Sequence, residues 1–117
     1  MNLFWLTAKL RQNYPVLREP AEPHPQRAAV LVVLYPRHGR THALMIKRAD
    51  HLKMHPGEIS FPGGVFHEED GDLLNTALRE TAEELSLEVP ADAVVGRLSA
   101  VVTRTGFEIA PFVAMLD

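Results

Sequence analysis

A small α/β or α+β domain built on a mixed sheet is predicted by three stretches of the chain. Ala28 to Tyr35 is an unbroken, Val-rich apolar run, the mark of a strand covered on both faces. From Asp72 or Leu73, apolar residues recur at helical spacing: Leu74, Ala77, Leu78, Thr81, Ala82 and Leu85 form one stripe. Ala93 to Thr103 and Phe107 to Leu116 then alternate well enough to read as two further strands.

In chain order, Asn2 to Asn13 places Leu3, Leu6 and Leu10 on one helical side, which Phe4 and Trp5 widen, with Asn2 as N-cap. Such a helix is a packing helix or docking arm, and it should stop before Pro15 because the residue preceding proline avoids helical backbone. Glu19 to Gln26 carries Pro20, Pro23 and Pro25 and reads as an extended linker. Residues 1–27 are therefore expected to precede a domain at 28–117. Pro36 to Thr41, with Gly39, turns the chain into a second strand, His42 to Lys47, giving a hairpin. Arg48 to Glu58 is a polar connection, and Ile59 to Phe61 is a short strand delivering the chain into Pro62-Gly63-Gly64. Asp72 is a fair N-cap, and Pro90 prevents helix beyond Val89. Thr105-Gly106 is a turn, and Pro111 inside the last strand argues for an edge position or a bulge. The chain stops directly after that strand, which points to a domain incomplete at its C-terminus or completed by a partner. An uncovered sheet face would also favour a homodimer.

The 117 residues suit one domain, with 46% apolar and 23% charged residues. A chain of this size hides ~65% of the surface its unfolded form exposes, enough for a core without staples. None are available. With no cysteine, disulfides, thiolate zinc sites and cysteine nucleophiles are all excluded. A net charge of −3 supplies no field for nucleic acid or anionic membrane. The longest apolar run is too short to span a bilayer, and Phe4-Trp5-Leu6 lacks the basic leader of a targeting peptide. A cytoplasmic location is expected.

The chemistry is concentrated between Phe61 and Leu87. Glu80, Glu83 and Glu84 fall at i, i+3 and i+4, three carboxylates within roughly 100° of helical arc. Like charges so placed destabilise an isolated helix by about 0.2–0.5 kcal/mol per pair. A solvated acidic face with Arg79 paired to Glu83 would be the plain explanation. The preceding Phe61-Pro62-Gly63-Gly64 and the acidic loop change the balance. Hard divalent cations want clustered oxygen ligands, and two successive glycines let backbone N–H groups approach a ligand closely.

Gly64, Asp70 and Arg79-Glu80-Thr81-Ala82-Glu83-Glu84-Leu85-Ser86-Leu87 resemble the Nudix box, G-x5-E-x7-R-E-U-x-E-E-x-G-U with U aliphatic. Asp70 stands where glutamate is usual, and eight residues rather than seven separate it from Arg79. Thr81 replaces the aliphatic residue and Ser86 the glycine. Upstream, Leu44-Met45-Ile46-Lys47-Arg48-Ala49, Lys53, Gly57 and Phe61-Pro62-Gly63-Gly64 are similar to L-L-T-x-R-S-x3-R-x3-G-x3-F-P-G-G-x2-D, the signature of the coenzyme A pyrophosphatase branch, whose box also carries one extra residue. The spacing matches throughout, whereas Ile46, Ala49, Lys53 and His67 replace Thr, Ser, Arg and Asp. The run from Thr103 to Val113 also looks like that branch.

The resemblance implies a Nudix α/β/α sandwich and a Mg²⁺- or Mn²⁺-dependent hydrolase acting on a nucleoside diphosphate linked to another group, here coenzyme A or its thioesters. It implies Glu80, Glu83 and Glu84 as metal ligands, with Glu80 or Glu83 as general base. Arg79 would orient Glu83, and Asp70 would support the set through water or at one remove. Arg48, Lys53, Gly63 and Gly64 would bind substrate. Lysine at 53 gives up the bidentate fork of arginine. Rival readings are hydrolysis of another nucleoside diphosphate, such as a sugar nucleotide or dinucleotide, and a binding module with little turnover. His51/His55 and His38/His42 have i,i+4 spacing, but Leu52 and Gly39 stand where a metalloprotease needs glutamate. No serine has nucleophile-elbow context, and no glycine pair opens a P-loop.

Overall fold

The computed structural model describes residues 3–16, 26–47, 58–104 and 106–117. The first helix, α1 (Leu3–Asn13), is followed by β1 (Arg27–Arg37) and β2 (Arg40–Ala43). Two short pieces, β3 (Ile46–Lys47) and β4 (Ile59–Ser60), precede β5 (Gly63–Val65). A 3₁₀ turn at Glu68–Asp70 leads into α2 (Leu73–Leu85). A second 3₁₀ turn at Ala91–Ala93 leads into β6 (Val94–Arg97), β7 (Val101–Val102) and β8 (Glu108–Met115).

The sheet is mixed, as expected. Its spine is the parallel pair β1–β8, in register from Arg27 opposite Glu108 to Leu34 opposite Met115. Around it β2 and β5 pair antiparallel with β1, and β6 and β7 pair antiparallel with β8. Side chains alternate across a strand, so the two spine strands present two apolar faces. Ala29, Leu31 and Val33 stand beside Ala110, Phe112 and Ala114 on the first face, under Leu73, Leu74 and Ala77 of α2. Leu31 and Phe112 are fully buried, each contributing about 1.5–3 kcal/mol by leaving water. On the second face Val113 and Val95 meet Leu10 of α1, with Leu6, Val32, Leu34 and Met115 packed around them. Gly96 permits this approach, since a Cβ there would lie 3.2 Å from Leu10 Cβ and from the Tyr14 carbonyl. That carbonyl accepts the Arg97 N–H at 3.0 Å. The apolar side of α1 is narrower than predicted. Phe4 and Trp5 are exposed, and Leu10 makes the buried contact. Asn2 and most of the proline-rich stretch lie outside the described residues.

Three further expectations are corrected. The hairpin forms, closed by a two-residue turn in which His38 (φ 53°) and Gly39 (φ 71°) both take positive φ, the conformation that matches strand twist. Its second strand, however, is Arg40–Ala43. Ile46–Lys47 leaves the sheet and pairs with Ile59–Ser60 as a separate ribbon. Second, Ala93–Thr103 is not one strand: β6 and β7 are separated by Leu98–Ala100. Third, β8 is central rather than an edge. Pro111 is tolerated there because its carbonyl accepts from Leu98 N–H at 2.8 Å, which places the missing N–H on the same side, over the break between β6 and β7. No ladder bond to β1 is lost.

Candidate active site

The acid-bearing turn is positioned by its own start signal. Asp72 adopts extended backbone and its carboxylate accepts the Asn75 N–H at 2.8 Å, a cap worth about 1 kcal/mol. The Asn75 side chain donates to the Asp70 carbonyl at 2.8 Å, tying the acidic loop to the helix it enters. Leu73, Leu74, Thr76, Ala77 and Thr81 are buried, so the opposite side of α2 carries Arg79, Glu80, Glu83 and Glu84 along the edge of β5. Thr81, at an aliphatic position of the motif, is fully buried with its hydroxyl donating to the Ala77 carbonyl at 2.7 Å. Ser86 ends the helix in left-handed backbone (φ 52°, ψ 36°), the conformation that explains a glycine preference there.

Arg79 is the hub. Its Nε and Nη2 donate side-on to Asp70 at 2.8 and 3.1 Å, and Nη2 also reaches the Val65 carbonyl at 3.2 Å. Nη1 donates to Glu80 at 2.9 Å and to Glu83 at 3.3 and 3.4 Å. The i,i+4 pair read from the sequence is therefore one of several contacts. Asp70 touches the guanidinium directly, where the resemblance suggested support at one remove. Its carboxylate also accepts the His67 N–H at 3.0 Å and the Thr76 hydroxyl at 2.8 Å. Burial by itself would raise the Asp70 pKa. The Arg79, His67 and Thr76 hydrogen bonds and the Arg79 charge outweigh it and bring the value down to about 2. Arg79 is held protonated, above its already high ordinary value, chiefly by Asp70 and despite partial burial.

The two glycines face opposite sides of β5. A Cβ on Gly64 would lie 2.6 Å from one Glu80 carboxylate oxygen and 2.8 Å from the other, so the missing side chain is the space Glu80 occupies. Gly63 donates its N–H to Glu84 at 2.9 Å, and a Cβ on it would collide with Val30 on the other face. The Glu80 side chain is mostly buried (18% exposed), whereas that of Glu83 is open to solvent at 58%. Among the described residues, no three His, Asp or Glu side chains form a ready cage for a metal ion. Each helix carboxylate instead has a hydrogen-bond partner that a cation would share or displace. The donor chemistry still fits a hard divalent cation: three carboxylates lie on one helical turn, braced by Arg79 and the glycine strand. Arg48 and Lys53, with His51 and His55, lie outside the described residues. Nothing in the sequence points to the Thr76 hydroxyl, the Val65 carbonyl or the Gly63 N–H as partners, since each meets its contact only through the fold.

A sandwiched mixed sheet with an acidic helix packed beside a Gly-Gly strand defines a class. The family model for the NUDIX domain matches residues 25–115, and the chain belongs to that family. It is 38% identical over 89 residues to the uncharacterized Nudix hydrolase NudL of Yersinia enterocolitica, and 37% identical over 91 residues to that of Yersinia pestis. These alignments cover 76% and 78% of this chain and 45% of each relative, so the chain spans about half the length of the curated relatives it matches. Among solved structures, the NUDIX domain of Shewanella oneidensis NrtR complexed with ADP ribose superposes with a TM-score of 0.66 at 22% identity. That match covers 94% of this chain and 70% of the other. The NUDIX hydrolase from Alicyclobacillus acidocaldarius gives 0.65 at 21% identity, covering 83% and 72%. Both likenesses establish the fold. Members of this family generally use divalent metal ions. No helix among the described residues is long and apolar enough to cross a membrane.

Proposed function

We propose that this domain hydrolyses the diphosphate of a nucleotide-linked substrate with Mg²⁺ or Mn²⁺, and that the substrate is coenzyme A or an acyl-coenzyme A. The products are 4′-phosphopantetheine, or its acyl form, and adenosine 3′,5′-bisphosphate. The observation that carries the reading is the braced acid turn, in which Arg79 gathers Glu80, Glu83 and Asp70 while Glu84 docks on Gly63. Glu80, Glu83 and Glu84 are the residues that would hold the metal. When bound, the cation supplies charge neutralisation for the diphosphate and acidifies the attacking water.

The chain's own groups account for the rest. Arg79 fixes two carboxylate directions at once, which limits the rotamers that must be frozen on binding. Glu80, pressed on Gly64 and mostly shielded, and Glu83, open to water, are the two candidates for taking the proton from water. Gly63 and Gly64 present backbone without a Cβ beside the reacting phosphates. Arg48 and Lys53 are proposed to contact substrate phosphates on the strength of the upstream motif alone.

Coenzyme A, ADP-ribose, a sugar nucleotide and a dinucleotide should be incubated with Mg²⁺ and with Mn²⁺ and the products separated. Release of adenosine 3′,5′-bisphosphate from coenzyme A, with the others untouched, supports the branch. Cleavage of another compound instead replaces it. Glu84→Gln keeps an oxygen for the Gly63 N–H but removes the charge, and single-turnover rates should fall about 100-fold or more with melting unchanged. Equal rates for mutant and wild type would remove the acid turn from the reaction and favour a binding module.

A further inference from the structure

Thr76 and Thr81 of α2 are both fully buried, yet their hydroxyls are used differently. A buried hydroxyl without a partner is costly, and a helix offers it the carbonyl four residues back. Thr81 takes that offer, donating to the Ala77 carbonyl at 2.7 Å. Thr76 has the same offer from Asp72 but lies 3.3 Å from that carbonyl, against 2.8 Å from Asp70 Oδ2. A hydroxyl carries one proton, and the nearer, charged acceptor takes it. Thr76 is therefore aimed out of its own helix at the acidic loop.

What it meets there is the foot of the brace. Asp70 Oδ2 also accepts Arg79 Nη2 at 3.1 Å and the His67 N–H at 3.0 Å, while Oδ1 accepts Arg79 Nε at 2.8 Å. The guanidinium is planar, so the direction of the Asp70 carboxylate sets the direction of Nη1. Nη1 in turn holds Glu80 at 2.9 Å and Glu83 at 3.3 Å. The Thr76 hydroxyl is a firm stop for this chain of contacts. Its β-branch leaves few rotamers in a helix, and full burial restricts them further.

We propose that Thr76 is a positioning residue for this site: through Asp70 and Arg79 it sets where the Glu80 and Glu83 carboxylates point. What those carboxylates then do rests on the proposed metal-dependent hydrolysis, but the positioning can be read with neither metal nor substrate present. Thr76→Val replaces the hydroxyl by a methyl group of similar size, and Thr76→Ser keeps the hydroxyl. Thr76→Ser and Thr76→Ala differ by the hydroxyl alone and repeat the comparison should the valine variant not fold. Thr81→Val removes the other buried hydroxyl and controls for helix stability.

Three quantities are measured: exchange of the Arg79 Nε–H with water by NMR of the metal-free protein, Mn²⁺ affinity by calorimetry without substrate, and kcat and KM at saturating Mg²⁺. Without a hydroxyl at position 76, the Nε–H should exchange about threefold faster or more. Mn²⁺ should bind about three- to tenfold more weakly, and kcat should fall about tenfold with KM nearly unchanged. Thr76→Ser should stay within about twofold of wild type in all three, and so should Thr81→Val whatever its melting temperature. Wild-type values in Thr76→Val, or equal losses with and without the hydroxyl, overturn the positioning role. Faster Arg79 exchange and weaker Mn²⁺ binding in Thr76→Val, when the wild type cleaves no nucleotide, support the positioning role and overturn the hydrolytic reading.

Discussion

Replacing Asp70 by Asn tests whether the site is braced through Arg79. The Asp70 side chain is 5% exposed and accepts from four donors: Arg79 Nε, Arg79 Nη2, the His67 N–H and the Thr76 hydroxyl. Asparagine has nearly the same shape, but one of its two polar ends becomes a donor facing donors. Arg79, 26% exposed, keeps Glu80, Glu83 and the Val65 carbonyl, so its charge is not stranded. The cost should therefore fall below the 3–5 kcal/mol of a fully buried broken pair, at about 2–3 kcal/mol. The titration leads to a similar figure. A carboxyl that titrates at 3.8 in the unfolded chain and at about 2 in the folded one contributes ~2 kcal/mol at neutral pH. Because the folded value is the lower, this contribution is fully present above the unfolded pKa. It is lost as pH falls from about 4 towards 2, where the unfolded chain takes up the proton first. Urea unfolding at a series of pH values reads both effects. The wild type should lose stability across that window, and Asp70→Asn should start about 2–3 kcal/mol lower and lack this part of the slope. A mutant within 0.5 kcal/mol of wild type, or with the same acid slope, would refute the brace.

Two further substitutions probe the ends of the same construction. Gly64→Ala sets a methyl group where the Glu80 carboxylate lies. A flexible side-chain end can move, so melting should change little while turnover drops about tenfold or more; unchanged turnover would show that the position of Glu80 is immaterial. Ser86→Gly relieves left-handed backbone at the end of α2 and should raise stability by about 0.5–1 kcal/mol, read as a higher melting temperature, with activity unaltered. A melting temperature that falls would show that Ser86 makes a contact worth more than the strain.

What the residues alone determine here is local. The start of α2 at Asp72, its acid turn and the apolar strand run of Ala28–Tyr35 depend on neighbours a few positions apart, and all three appear in the structure with modest shifts of boundary. The motif spacing also sufficed to place the chain in its family, because the turn and the helix must present their groups at fixed offsets. Everything that depends on partners distant in the chain was decided by tertiary structure. Pro111 reads as an edge or bulge residue until β8 is found between β1 and β6, with its missing N–H over a gap. Ile46–Lys47 continues a strand by composition, yet hydrogen-bonds to Ile59–Ser60 rather than to β1. The Arg79–Asp70 brace spans nine positions, more than two helical turns, and forms only because the acidic loop folds back against α2. The partial cover of the second sheet face among the described residues has the same origin. Val30 and Val32 look equally buried in an apolar run, but whether a strand face is covered depends on what crosses it, and α1 reaches only part of the way. Periodicity records which way a side chain points; only packing decides what it meets.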